Sequence, residues 1–370
     1  MNDIKEIMKV IALEAINLPT FKEVRGKDWV AYGENNLFPV KLVELTQTSA
    51  IHNTAIRSKL DAVIGEGIAE IGTTPVNALG ETLNDIYEKV ALDYLIFGGF
   101  SLNTIWNRGG DKVVEIYHLP FSNVRSGKLN EEDKITEYFY SSHWANTRKY
   151  PPKRYSAYNP LDTKGDNASQ IFYHFDYSPA SDVYPLPEYC GALNDIELDG
   201  RIAKFHNANI SNGMSPSLFI TLTNGEPSAE EKRKLYQGIV ESYTGVDNAG
   251  RVFLSFVDGA EKAPVISTVP SANDEYYVIL EERITSRILT AHRITSPLLI
   301  GIRDGGGLGS NSEEIQVAYT HFLSTVIQPI QKSINRSMDV VMRAFGVDTP
   351  IVVIPSKLDF NQTQTQQING

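Results

Sequence analysis

Two long helical patterns stand side by side late in the chain, joined by "SPLLIGIRDGGGLGSNSEE", residues 296–314. No other feature constrains the fold as strongly. In "SANDEYYVILEERITSRILTAHRIT", Tyr277, Leu280, Ile284, Ile288 and Ala291 share one face. About 20 residues at 1.5 Å each make a rod of roughly 30 Å. Beyond the joining segment, "SNSEEIQVAYTHFLSTVIQPIQKSINRSMDVVMRAF" is longer still and holds Pro329. A proline there lacks the N–H a helix needs and costs about 3 kcal/mol, so a kink is expected. Between the rods, four of the five residues from Gly305 to Gly309 are glycine. Glycine frees the backbone and is costly to order. A phosphate loop, a hinge and a surface linker all fit that description.

The chemistry-bearing motifs are absent. No lysine follows the glycines, as a nucleotide-binding P-loop requires. No parallel strand precedes them, as a dinucleotide fold requires. The seven histidines are scattered. His292 and His321 could meet across the loop, but neither has a further ligand at metal spacing, and capping or partial exposure explains them better. The acid pairs Glu230–Glu231, Glu281–Glu282 and Glu313–Glu314 fall on predicted helices, where adjacent side chains diverge by about 100° and do not converge on a site. There is neither a nucleophile elbow nor a Cys–His signature. Cys190 is the one cysteine, which excludes an internal disulfide and reads as a small semi-buried residue. No catalytic residue, metal or cofactor is nominated.

The formal net charge of −11 argues against a tight, sequence-independent grip on phosphates and leaves room for contact in passing. No run of about 18 apolar residues suggests a membrane span. "MNDIKEIMKVIALEAINLP" carries acids early and does not read as a secretory signal.

Elsewhere the chain reads as α+β. Residues 1–20 form a short helix or an arm. Leu42, Leu45, Ile51, Ala55, Ile56 and Leu60 give one helix stopped at Gly65 and Gly67. Leu83, Ile86, Tyr87, Val90, Tyr94 and Phe97 give a second, stopped at Gly98. "FSLNTIWN", "VVEIYHLP", "ITEYFYSS" and "IFYHFD" read as an antiparallel sheet over about 100–177, with "RGGD" as a hairpin turn. A helix follows. Next come a strand in "SPSLFITLTNG", a helix opened by a Ser228–Glu231 capping box, and a strand in "GRVFLSFVDG". This strand–helix–strand unit is inserted between two helices. "TPIVVIPS" reads as a last strand and "NQTQTQQING" as a polar tail.

That order of parts resembles the portal proteins of tailed bacteriophages. The resemblance is carried by "IAKFHNANISNGMSPSLFITLTNGEPSAEEKRKL", "NAGRVFLSF", "EERITSRILTAHRITSPLLIGIRDGGGLGSNSEE", "FLSTVIQPIQKSINRSM" and "WVAYGENNLFPVKLVEL". It covers roughly residues 28–355 as an order-of-elements match with loose motifs. It implies a wing (1–193 and 312–358), stem helices (194–213 and 269–295), a clip (214–268), a tunnel loop (296–311) and a polar tail (359–370), with a crown that is short or absent.

The same resemblance implies a structural protein rather than an enzyme. Copies of the chain would form a ring, a dodecamer in that family, at one capsid vertex of the virion, assembled in the host cytoplasm. Double-stranded DNA would be packaged and ejected through the channel. The partners implied are the large terminase subunit, the head–tail adaptor, and the major capsid and scaffolding proteins, with no membrane. Arg303, Asp304, Gly305, Gly306, Gly307, Gly309 and Asn311 would line the channel. Lys232, Arg233, Tyr236 and Arg251 would meet motor or adaptor from the clip, and Pro329 would kink the long helix. The alternatives are an enzyme acting on nucleic acid or nucleotides with a glycine-rich lid, and another virion ring such as a tail adaptor.

Overall fold

The computed structural model describes residues 18–179, 181–211, 218–222, 228, 230, 233–234, 252–256, 274–300 and 312–356. The chain divides into two compact units. One holds Met1–Ile196 and Thr285–Gly370, the other Glu197–Ile284.

The first unit opens with a short hairpin, β1 (Phe21–Glu23) and β2 (Val30–Tyr32), which the sequence pattern did not reveal. The helix expected over residues 42–60 is two helices, α1 (Phe38–Thr48) and α2 (Ala50–Ile64). Ser49 separates them. Its backbone is extended, and its hydroxyl accepts the His52 N–H at 3.1 Å to cap α2. A serine that can satisfy a helix start also favours a break there. Helix α3 (Leu83–Phe97) starts with a capping box between Thr82 and Asp85 and stops at left-handed Gly98. Of its predicted stripe, Leu83, Ile86, Tyr87, Val90 and Phe97 are buried.

The four predicted strands are present as β3 (Gly99–Trp106), β4 (Val113–Leu119), β6 (Glu137–Tyr140) and β8 (Ser169–Phe175). Two shorter strands, β5 (Val124–Ser126) and β7 (Lys153–Ala157), complete a sheet of order β4-β3-β8-β7-β6-β5. The sheet is not wholly antiparallel, because β7 and β8 run parallel. Gln170 makes the required crossover possible. Its buried side-chain amide donates to the Asn159 and Asp162 carbonyls at 3.2 and 2.7 Å and accepts from the Asn159 N–H at 2.9 Å. It thereby fixes the returning loop.

Later in the same unit lie α6 (Ser312–Phe322), a π-helical turn at Leu323–Ile327, and α7 (Gln328–Phe345). Ile334, Met338, Val341 and Met342 bury the inner face of α7. "TPIVVIPS" is not a full strand. It makes one bridge, Ile68↔Val353, backed by Glu66 N–H to Ile354 O and Ile354 N–H to Gly67 O, both 2.8 Å. The approach is so close that a Cβ on Gly65 would stand 2.1 Å from the Ile354 carbonyl oxygen, and Gly65 has φ +53°. Only glycine fits there.

Helices α4 (Leu193–Ser211) and α5 (Asp274–Ala291) run from one unit into the other. Within the second unit β9 (Leu218–Leu222) and β10 (Val252–Phe256) pair in parallel. Parallel neighbours need a crossover, and residues 230, 233 and 234 between them are helical. The expected N-terminal arm over residues 1–17, Glu231 of the expected capping box, the glycine segment 301–311 and the tail beyond residue 356 lie outside the described residues.

Candidate functional site

A buried polar cluster lies in the first unit, built by residues on either side of the glycine segment. Helix α5 ends with Ile294 N–H returning to Leu289 O at 2.9 Å. That closure puts Arg293 at φ +58°, a conformation glycine usually supplies. The resulting bend aims Arg293 at two acceptors. Its Nη1 donates to Glu188 Oε1 at 3.2 Å, and its Nη2 donates to the Thr325 carbonyl at 2.8 Å.

The second contact follows from Pro329. An α-helical Thr325 carbonyl would accept from the N–H at position 329, which proline lacks. The helix relaxes into the π turn, where Gln328 N–H reaches Leu323 O, and Arg293 supplies Thr325 with a donor. Pro329 thus sits in a local arrangement of its own: a π turn before it and an arginine beside it.

Lys59 stands behind Glu188. It is 1% exposed, and its Nζ donates to Glu188 Oε2 at 2.6 Å and to the His292 carbonyl at 3.4 Å. Burial lowers its pKa, and the Glu188 carboxylate opposes that shift. One carboxylate thus serves two cations from different elements.

His52 and His292 complete the cluster. His52 Nδ1 and His292 Nε2 are 2.8 Å apart, and the Tyr189 ring packs on both at 4.4 and 5.0 Å between centroids. Thr46 Oγ1 donates to Leu42 O at 3.0 Å, so it accepts from His52 Nε2 at 3.3 Å. His52 then carries its proton on Nε2, and His292 donates through Nε2 to His52 Nδ1. Burial and the nearby Lys59 charge push His52 down to about 3. Burial, His52 and Lys59 push His292 down as well. Both imidazoles are neutral at pH 7.

Lys59, Glu188, Arg293 and Pro329 open onto a cleft of about 460 Å³. Its other wall holds Asp176, which accepts from Ser333 Oγ at 2.5 Å and from the Tyr94 hydroxyl. The His174 imidazole beside it, with hydrogen bonds from Ser333 and Tyr94, holds this carboxyl well below the usual range. Ser333, His174 and Asp176 are not a nucleophilic triad. Asp176 stands on the same side of the imidazole as Ser333, 3.6 Å from Nε2, while Nδ1 faces Ser337 at 3.0 Å. No base is oriented by an acid behind it. Among the described residues no group of three His, Cys, Asp or Glu could hold a metal ion, and no helix is long and apolar enough to cross a membrane.

Arg303, Asp304, Gly305, Gly306, Gly307, Gly309 and Asn311 lie outside the described residues, as do Lys232, Tyr236 and Arg251. Arg233 is helical and exposed. His292 meets His52 rather than His321, which is exposed on α6. Lys59, Glu188 and His52 escaped sequence reasoning, although Lys59 carried a signal. It sits on the apolar face of α2 with Ile56, Leu60 and Val63, where a lysine needs a buried partner.

No family model matches the chain. It is 25% identical over 254 residues to a "Probable portal protein" of Escherichia phage P2, an alignment covering 67% of this chain. The chain resembles the phage portal proteins. The match spans 65% of the P2 protein's own length, just under two thirds. In three dimensions the chain is similar to one from the "Virion of native gene transfer agent (GTA) particle", with TM-score 0.55 and 16% identity over 88% of this chain and 86% of that one. A chain from the "Neck of native GTA particle computed with C12 symmetry" gives TM-score 0.53 and 16% identity over 85% and 83%. The α+β fold is portal-like.

Proposed function

We propose that this chain is the subunit of a portal ring at one capsid vertex, with a structural rather than catalytic role, and that double-stranded DNA passes through its channel. The observation that carries this reading is the coincidence of two likenesses: sequence similarity to the phage P2 protein and a portal-like fold over 88% of the chain. The ring would have twelve subunits and dock the terminase motor and then a head–tail adaptor.

In this reading residues 194–213 and 269–295 are the stem, 214–268 the clip, and 1–193 with 312–358 the wing. Arg233, with Lys232, Tyr236 and Arg251, would face the motor or adaptor. Residues 296–311 form the tunnel loop. Its glycines let it yield to a moving duplex. Asp304 beside Arg303 keeps any phosphate contact short-lived, and the acidic balance of the chain favours sliding over binding. The Lys59–Glu188–Arg293 cluster fits this role as the fixed root of that loop. It ties the bend after α5 to the π turn ahead of α7.

Mass in solution and negative-stain imaging of the purified chain test the reading. Closed rings with a central channel are expected. A monomer at every concentration, with no assembly on adding capsid or scaffolding protein, would overturn it.

A further inference from the structure

The β5–β6–β7 ribbon carries opposite charge at its two ends. At one end the turn joining β5 to β6 presents Glu131, Glu132 and Asp133, all exposed, with Lys134 paired to Glu132 at 2.8 Å. Asn130 stiffens this turn by accepting from the Glu132 and Lys134 N–H groups at 3.0 and 2.9 Å. At the other end residues 141–155 contain Arg148, Lys149, Lys153 and Arg154 and not one acid. All four are exposed. Arg154 reaches Glu137, while Arg148, Lys149 and Lys153 have no carboxylate partner among the described residues.

This basic loop is also built rather than loose. Trp144 Nε1 donates to Asn123 O at 2.9 Å, Ser141 Oγ to Tyr150 O at 2.8 Å, and Tyr150 N–H to Asn146 O at 3.0 Å. Lys149 lies over the Tyr150 ring, and a shallow concavity opens between His143, Asn146, Lys149 and Tyr150. Antiparallel pairing of β5 with β6 and of β6 with β7 holds the two ends apart. The six residues of extended chain from Ile135 to Tyr140 span roughly 17 Å.

We infer that the basic loop over residues 141–153 docks on the acidic turn over residues 131–133 of a second copy of this chain, and so sets the head-to-tail contact between neighbours. The inference rests on the ring reading above and names its contact surface. A closed ring needs two different, complementary patches on each subunit. Copies with a net charge of −11 repel one another, so contact is favoured where a positive island meets a negative one. One rigid ribbon supplies both patches, at a separation that prevents them from neutralising each other within the same copy.

The test is a charge swap read by mass in solution. The variants are R148E/K149E, E131K/E132K and the fourfold combination, with circular dichroism as the check on folding. Each reversal alone is expected to raise the concentration needed for ring formation at least tenfold, and the fourfold variant to return it to the wild-type value. Reversals that assemble like the wild type would overturn the inference. So would a fourfold variant that folds but does not recover. A basic-loop reversal that forms normal rings but loses retention of duplex DNA would assign the loop to nucleic acid instead. A wild-type chain that never forms rings would overturn the ring reading itself, and this inference with it.

Discussion

Lys59 is a full charge almost entirely withdrawn from solvent, and its energy depends on the one carboxylate opposite it. Glu188 is different: its side chain is 37% exposed and it has Arg293 as a second partner. Removing the two members should therefore cost unequal amounts. Glu188→Gln strands a buried ammonium and is expected to destabilise by about 3 kcal/mol, whereas Lys59→Met leaves Glu188 with Arg293 and water and costs about 1 kcal/mol or less. Urea unfolding of the two variants checks the asymmetry. The histidine pair makes a prediction about pH. His52 falls from an ordinary 6.5 to about 3 in the fold, so the unfolded chain takes up its proton first as the solution is acidified. Its contribution is fully present above about pH 6.5 and is lost as pH falls toward 3, at up to about 1.4 kcal/mol per pH unit. Between pH 6.5 and 4 the stability of a His52→Gln variant should vary less steeply than that of the wild type.

At the scale of the element, the junction between the π turn and α7 shows how a sequence feature is read and then completed by the fold. Pro329 marks a break in the helical hydrogen-bond ladder from its chemistry alone, because a missing N–H is visible in any sequence. The donor that serves Thr325 in its place was not visible. Arg293 comes from the bend after α5, 32 residues earlier, and reaches it through a left-handed conformation that no glycine announces. The same split runs through the rest of the fold. Stripes and stops placed α3 and the strands β3, β4, β6 and β8, because local spacing dictates them. The break at Ser49, the three-residue strand β5 and the parallel β7–β8 pair depend on single hydrogen bonds or on the buried Gln170, and spacing carries no trace of them. In the candidate site Pro329 and His292 stood out in the sequence, while His52, Lys59 and Glu188 join them only through tertiary contacts. The junction predicts coupling. Arg293→Ala leaves the Thr325 carbonyl without its guanidinium donor and should cost about 1–2 kcal/mol. In a Pro329→Ala background, where an N–H is restored at 329, the same change should cost less. A double-mutant cycle that shows simple additivity would count against the arrangement.

For the whole molecule, the proposed portal role makes the glycine segment a mechanical part. Replacing Gly305, Gly306 and Gly307 with alanine narrows the conformations open to the loop. Ring formation is expected to be unchanged, while the rate of DNA entry in a packaging reaction falls several-fold. In the proposed portal, duplex DNA occupies the axis of a ring made of this chain. Cryo-electron microscopy of rings captured during packaging, without imposed symmetry, addresses it most directly. Continuous duplex density along the channel is expected, approached by residues 301–311 of each subunit. Rings with an empty axis and DNA held only on the outer surface would contradict it.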